Sequence, residues 1–272
     1  MKQSLFLFAL FLSLSSLAAE VDTVTIFSKA MNRSFRAVVI KPDSYQKGKT
    51  NYPTVYLLHG LGGKFSDWVS KAPNLKLHAD RNNVLVVCPD GAINSWYFDS
   101  PEDSTMRFET YVADEIPAYI DAHYRTIRDR KARAITGLSM GGHGGLFLGY
   151  RHANFFGAAG SMSGALMVEL IKEPMYGVSK RLGDTTNTAR YREYSIFGIL
   201  DKQPKDTLAL ILDCGTEDFI VEMSRAVHKR LQELKIAHDY TERPGRHDWQ
   251  YWNNAIQYQL LFFRNYFGKE GN

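Results

Sequence analysis

The sequence predicts an α/β fold in which a doubly wound, mostly parallel sheet is covered by helices on both faces. Two observations predict it: short apolar runs rich in β-branched residues recur along the chain, and amphipathic helical stretches separate them. Continuous apolar runs indicate strands buried on both faces, as in parallel sheets. The 272 residues are 44% hydrophobic and 23% charged, which excludes a disordered chain and a disulfide-dense mini-protein.

The N-terminal segment has the pattern of a secretory signal peptide. A polar start with one positive charge at Lys2 precedes an apolar stretch that extends to Leu17, and the small residues Ala18 and Ala19 follow. The alternative interpretation is a buried N-terminal helix. A membrane-spanning helix is disfavoured, because the apolar stretch is shorter than the roughly 20 residues that a span needs. We therefore expect residues 1–19 to be removed, and residues 20–272 to form one exported domain, periplasmic or secreted, with no stable membrane anchor.

The elements follow in chain order. Alternating apolar residues predict a leading hairpin whose turn lies at residues 29–32. Apolar runs predict strands at residues 54–58, 84–88, 132–136, 158–162 and 208–213, and helical spacing predicts helices at residues 109–124, 143–151, 222–235 and 253–267. Residues 172–203 interrupt this alternation, and we expect a short insertion that caps a site.

The two cysteines, Cys88 and Cys214, each end a predicted buried strand. An exported protein could join them in a disulfide, but nothing in the sequence places them close together. We favour free, buried thiols.

One motif in the sequence predicts a catalytic nucleophile. At residues 134–142 an apolar strand continues into Gly-Leu-Ser-Met-Gly and then into a helix. A nucleophile elbow needs this sharp strand-to-helix turn, with small residues two places on either side of a strained serine. The alternative is a glycine-rich turn without function. The context favours Ser139 as the nucleophile of an α/β-hydrolase fold.

A serine nucleophile needs a general base, and in α/β-hydrolases the histidine is the last member of the triad along the chain. His143 and His152 lie on or just after the helix that follows Ser139, His228 lies in a charged helical pattern, and His238 begins the apparent last strand. His247 lies in the loop between that strand and the final helix. We predict His247 as the base.

The acid that orients this histidine is predicted to be Asp218, in the loop just after a predicted strand, where ligand-facing groups gather in such sheets. Asp213 lies inside the strand and Asp248 adjoins the histidine, so both are weaker candidates. Glu217 is the remaining alternative.

Backbone N–H groups of an oxyanion hole should come from the residue after the nucleophile and from the loop after the third strand. Met140 supplies the first. The glycine-rich stretch at residues 59–63 offers the second, for which we choose Leu61, with Gly60 and Gly62 as alternatives. This stretch lacks the spacing of a P-loop or a dinucleotide-binding loop.

The motifs together resemble those of the esterase family of α/β-hydrolases: Leu-Leu-His-Gly-Leu-Gly-Gly at residues 57–63, Cys-Pro-Asp-Gly at 88–91, Gly-Leu-Ser-Met-Gly-Gly at 137–142, Cys-Gly-Thr-Glu-Asp at 214–218 and His-Asp-Trp at 247–249. That family includes S-formylglutathione hydrolase (esterase D), tributyrin, acetyl and feruloyl esterases, and the mycolyltransferases of the antigen 85 group. The resemblance covers nearly all of the chain after the leader. It implies Ser139 as nucleophile, Asp218 as acid, His247 as base, and Leu61 and Met140 as oxyanion donors.

The sequence therefore predicts a secreted serine carboxylesterase acting on a small-molecule or polysaccharide-linked ester of acetyl or feruloyl type. The alternatives are an acyltransferase of the mycolyltransferase type, an S-formylglutathione hydrolase-like thioesterase, which export disfavours, and a non-catalytic scaffold. Trp96 and Trp68 are candidate substrate contacts, although both could equally pack beneath the insertion. No metal-ligand spacing occurs, so no metal or other cofactor is expected. The formal charge of +4 without a basic run does not favour nucleic-acid binding, and the oligomeric state is left open.

Overall fold

A central eight-stranded sheet organises the chain in the computed structural model, which describes residues 19–202 and 208–270. The strands lie in the spatial order β1-β2-β4-β3-β5-β6-β7-β8. They are β1 Glu20–Ser28, β2 Arg33–Lys41, β3 Thr54–Leu58, β4 Leu85–Pro89, β5 Arg133–Gly137, β6 Ala158–Met162, β7 Ala209–Gly215 and β8 Asp239–Arg243. Of the predicted leader, residues 1–18 lie outside the described part of the chain.

The sheet is parallel from β4 to β8, whereas β2 runs antiparallel to both of its neighbours. All residues of β3, β4, β5 and β6 are buried, because helices cover both faces there. The edge strand β1 alternates in burial, and its hairpin with β2 turns at residues 29–32 as predicted. The predicted α/β, mostly parallel architecture is confirmed.

Eleven α-helices lie within the described ranges, several of them only one turn long. They are α1 Ser44–Lys47, α2 Asp67–Lys71, α3 Leu75–Asn82, α4 Phe108–Thr110, α5 Ile116–His123, α6 Met140–Arg151, α7 Val178–Leu182, α8 Thr188–Tyr194, α9 Ile196–Leu200, α10 Val221–Glu233 and α11 Trp249–Glu270. A π-helical turn, Tyr111–Glu115, joins α4 to α5, so the predicted helix at residues 109–124 is continuous but irregular.

Two hydrophobic cores lie on opposite faces of the sheet. One contains buried side chains of α3 and α11, such as Leu75 and Phe263. The other contains side chains of α5, α6 and α10, such as Ile120, Phe147 and Leu231. This two-sided covering is what a doubly wound sheet requires.

The insertion predicted at residues 172–203 contains α7, α8 and α9 together with the 3₁₀ turn Pro174–Tyr176; Gln203 lies outside the described residues. These helices are too short for a periodic apolar pattern, so the sequence showed only an interruption. The indole N–H of Trp96 donates to Tyr176 O (2.9 Å), and His143 Nε2 donates to Tyr194 O (2.8 Å). The insertion is therefore tied to the body of the domain.

Both cysteines are buried free thiols. Burial raises the pKa of Cys88 far above its ordinary value and that of Cys214 to about 12. Neither thiol is therefore a ready nucleophile.

Candidate active site

Ser139 lies at the sharp turn between β5 and α6. Its φ of 54° falls in the left-handed region, a conformation that costs a non-glycine residue about 1–3 kcal/mol. The surrounding backbone holds it there: the Ser139 N–H donates to Met162 O (3.0 Å), and its carbonyl accepts from the His143 N–H (3.0 Å). This strained strand-to-helix turn has the geometry of the nucleophile elbow that the sequence predicts.

The two glycines of the motif are required by close backbone contacts. A Cβ added to Gly137 would lie 2.6 Å from Leu58 O, and one added to Gly141 would lie 2.5 Å from His59 O. Real Cβ atoms do not come this close to another atom, so only glycine lets α6 begin beside the end of β3.

The structure brings Ser139, His247 and Asp218 into one line of hydrogen bonds. His247 Nε2 lies 3.0 Å from Ser139 Oγ, and His247 Nδ1 lies 2.8 Å and 3.0 Å from the two carboxylate oxygens of Asp218. Because a carboxylate only accepts, Nδ1 carries the proton and Nε2 is left to accept from the serine hydroxyl. This is the tautomer that a general base needs.

Asp218 is held in its ionised form although it is buried. Burial raises the pKa of a carboxyl group, but the hydrogen bond and charge of His247 hold the pKa of Asp218 below its ordinary value. The Ile220 N–H also donates to this carboxylate (3.1 Å). A carboxylate placed in this way fixes the orientation of the imidazole.

Two loops that carry the acid and the histidine are bonded to each other. The Thr216 N–H donates to Arg243 O (2.8 Å), and the Glu217 N–H donates to Gly245 O (3.0 Å). Since these loops follow the neighbouring strands β7 and β8, the sheet itself sets the distance between Asp218 and His247.

Three residues that sequence reasoning missed support this pair. The ring of His247 packs edge-on against Trp252, at 5.0 Å between centroids, and lies 4.7 Å from the ring of Phe219. The Trp252 indole donates to Ser163 Oγ (3.1 Å), and the Ser163 hydroxyl also lowers the pKa of Asp218. Trp252 follows His247 by five residues, and only the helix that begins at Trp249 places it beside the histidine. Ser163 carries no sequence signal.

The backbone N–H groups of Leu61 and Met140 have no acceptor among the described residues, and both residues line the same cavity as Ser139. The Gly62 N–H donates to Ile93 O (2.8 Å), which excludes Gly62 as an oxyanion donor. Gly60 also has an N–H without an acceptor there, so it stays an alternative to Leu61.

His59 fixes the loop that carries these amides. It is buried, its Nε2 accepts from the Gly91 N–H (2.8 Å), and its Nδ1 therefore donates to Gly60 O (2.8 Å). Burial lowers the pKa of His59, so the ring stays neutral and keeps both bonds. In the sequence, His59 stands out only as part of the motif at residues 57–63.

Ser139 opens into a cavity of about 700 Å³, which we call the catalytic cavity. The loop after β3 and α2 supply polar lining residues, including Asp67 and Lys71. The segment just before the insertion and the start of α10 supply mainly apolar ones: Leu170, Ile171, Ile220 and Met223. Five aromatic side chains also line it: Trp96, Tyr176, Phe219, Trp249 and Trp252. Such a volume with few polar groups fits a small organic ligand.

The two tryptophans predicted as substrate contacts differ. Trp96 lines the catalytic cavity, although only 2% of it is exposed. Trp68 is wrong as a contact: it is fully buried, its indole donates to Leu58 O (3.0 Å), and its ring packs on Trp249. It supports the cavity wall from behind.

The rejected candidates have other partners. His152 bonds the carboxylate of Glu109. The carboxylate of Asp213 accepts from Arg243 and from the Tyr251 hydroxyl. Arg246 donates to the carboxylate of Glu217. Asp248 accepts from the Tyr251 N–H at the start of α11. His228 and His238 bond each other, and burial lowers the pKa of His143 to about 4.

Within the described ranges, no group of three or more His, Cys, Asp or Glu residues is placed to hold a metal ion. No helix in those ranges is long and apolar enough to cross a membrane.

Comparison with known proteins gives consistent matches. The model of the Esterase family, described as "Putative esterase", matches residues 28–263. An acetyl esterase of Caldicellulosiruptor saccharolyticus is 32% identical over an alignment of 259 residues, and the match covers 86% of this chain and 94% of that protein. The diacylglycerol acyltransferase/mycolyltransferase Ag85A of Mycobacterium tuberculosis is 30% identical over an alignment of 155 residues, and the match covers 54% of this chain and 43% of that protein. A solved ferulic acid esterase superposes with a TM-score of 0.80 at 29% identity and covers 92% of this chain and 99% of its own.

Proposed function

This chain belongs to the Esterase family and is a carboxylic ester hydrolase, and we propose that it is a serine esterase acting on short-chain or carbohydrate-linked acyl esters of acetyl or feruloyl type. This proposal rests on the hydrogen bonds that join Ser139 to His247 and His247 to Asp218, with Ser139 and His247 lining the catalytic cavity.

In the proposed first half-reaction, Ser139 Oγ attacks the carbonyl carbon of the ester while its proton moves to His247 Nε2. The oxyanion accepts hydrogen bonds from the N–H of Met140, at the N-terminus of α6, and from that of Leu61, in the loop after β3. His247 then gives its proton to the leaving alcohol, and the acyl group stays on Ser139.

In the second half-reaction, water replaces the alcohol. His247 accepts a proton from the water as it attacks the acyl carbon, and then returns that proton to Ser139 Oγ as the acid leaves. Throughout, Asp218 keeps the Nδ1 proton in place and stabilises the charged imidazolium.

The size and lining of the catalytic cavity favour a substrate larger than an acetyl group alone. Its volume of about 700 Å³ and its aromatic lining suit a sugar or a phenolic acyl group beside the reacting ester. The resemblance to an acetyl esterase and to a ferulic acid esterase supports the same substrate class.

A panel of esters tests this proposal, with p-nitrophenyl acetate, methyl ferulate and acetylated xylo-oligosaccharides as substrates. We expect hydrolysis of all three. Phe219→Ala should lower kcat/KM for methyl ferulate about fivefold more than for p-nitrophenyl acetate, because an exposed ring at the cavity contacts the larger acyl group.

Phe27→Ala is the matched control, because Phe27 is an exposed phenylalanine on β1 that does not line the catalytic cavity. A folded protein that hydrolyses none of the three esters would contradict the proposal. If the acyl group were transferred to an added sugar in preference to water, the acyltransferase alternative would replace the esterase proposal.

We also propose that the enzyme is exported after cleavage near Ala18 or Ala19, on the pattern of the leader. N-terminal sequencing of protein recovered outside the cytoplasm should give a chain that begins near Glu20. Recovery only inside the cytoplasm, with Met1 or Lys2 still present, would contradict this.

A further inference from the structure

A second cavity, of about 500 Å³, lies beside the catalytic cavity, and we call it the arginine cleft. Among the described residues, three arginines line it, Arg33, Arg36 and Arg181, against one carboxylate, that of Asp90. The lining therefore carries an excess of positive charge.

The arginine cleft opens at the same edge of the sheet as Ser139. Because β2 runs antiparallel to β4, the first residues of β2 lie beside the carboxyl end of β4: Ala37 pairs with Pro89, and the Asp90 N–H donates to Arg36 O (3.0 Å). The segment after β4 separates the two cavities, since Ile93 lines the cleft while its carbonyl accepts from Gly62, which lines the catalytic cavity.

Arg33 and Arg36 have no carboxylate partner in the described part of the chain. Their guanidinium carbons lie 4.5 Å and 4.4 Å from the ring centroids of Phe35 and Phe65. Contact with an aromatic face positions a guanidinium but leaves its N–H groups available.

Arg181 comes from α7 in the insertion, and its side chain is only 10% exposed. Its Nη1 donates to Asp103 (3.1 Å), which lies outside the lining, while its buried Nε–H has no acceptor among the described residues. A buried guanidinium with so few acceptors is incompletely satisfied.

We infer that the arginine cleft binds a carboxylate, that of a uronic acid, on the same oligosaccharide chain that presents its ester to Ser139. This inference rests on the proposed function. The planar, multiply donating guanidinium matches the geometry of a carboxylate, and the three arginines that line the cleft outnumber Asp90, whose Oδ1 accepts from the Ala92 N–H.

The sheet sets the distance between the two sites. Three strand spacings separate β2 from β5, which is about 14 Å at roughly 4.8 Å for each spacing. A small ester cannot reach both sites, so the cleft should affect only oligomeric substrates whose charged sugar lies several bonds from the ester.

The test compares acetylated xylo-oligosaccharides that bear glucuronic acid with neutral ones of the same length. The double variant Arg33→Gln/Arg36→Gln should raise KM for the acidic substrate about tenfold, because charge-assisted hydrogen bonds are lost. Its kcat, its KM for the neutral oligosaccharide and its rate on p-nitrophenyl acetate should stay unchanged. Added salt should raise the wild-type KM for the acidic substrate alone.

The matched control Arg81→Gln/Arg264→Gln removes two exposed arginines that line neither cavity, and it should leave every constant unchanged. Equal KM values for acidic and neutral substrates in the wild type would overturn the inference, as would equal losses on both in the cleft variant. Both outcomes leave the esterase proposal intact as long as p-nitrophenyl acetate is hydrolysed. Loss of that activity in the wild type would instead defeat the proposed function itself.

Discussion

Asp218→Asn is expected to lower kcat for p-nitrophenyl acetate about 10⁴-fold in a protein that still folds, as loss of the triad carboxylate does elsewhere. The asparagine amide can donate to His247 Nδ1, which moves the ring proton to Nε2. His247 then has no lone pair facing Ser139 Oγ, although every heavy atom is in place. Steady-state kinetics with thermal unfolding as the folding check measures this.

Glu217→Gln is the matched control, because it makes the same kind of change one residue earlier. Glu217 is exposed and pairs only with Arg246 in the described contacts, so its replacement should change kcat less than twofold. A larger loss of kcat in Glu217→Gln than in Asp218→Asn would mean that Glu217, and not Asp218, is the acid of the triad.

Because the pKa of Asp218 lies below its ordinary 3.8, its protonation should not produce an acid limb in the wild-type pH profile above pH 4.

Ser139→Ala should lower kcat by at least about 10⁴-fold, because the nucleophile is lost while the cavity and the unpaired amides remain. The protein should stay folded, since the Ser139 backbone rather than its hydroxyl bonds Met162 and His143. Alanine can also occupy the positive-φ turn, at a similar conformational cost. Residual activity should be compared with Ser70→Ala, a control at an exposed serine outside the catalytic cavity.

The fold was predictable wherever burial imposes a simple pattern. The strands at residues 54–58 and 158–162 agree residue for residue with β3 and β6, because parallel strands buried on both faces are continuously apolar. The helices were less exact at their ends. Helix α6 begins at Met140, three residues before its predicted start, since the glycines there carry no helical signal although the elbow requires them.

The candidate site was predictable where the order of residues along the chain and their position in a loop determine which of them meet. Ser139, Asp218 and His247 each follow a strand at the same edge of the sheet, and this placement needs only topology. Trp68 was wrong because its sequence neighbourhood cannot reveal which side of a loop faces the core. Ser163 and the arginine cleft were missed because they depend on contacts between segments far apart in sequence, such as Arg33 and Arg181.

The most direct measurement is mass spectrometry of the enzyme after reaction with an activated phosphonate ester, which forms a stable bond to a nucleophilic serine. The account predicts one adduct, on the peptide that contains Ser139, with activity lost in proportion to labelling. Asp218→Asn should be labelled far more slowly, whereas Glu217→Gln should match the wild type. An adduct on another residue, or full activity in enzyme labelled at Ser139, would contradict the account.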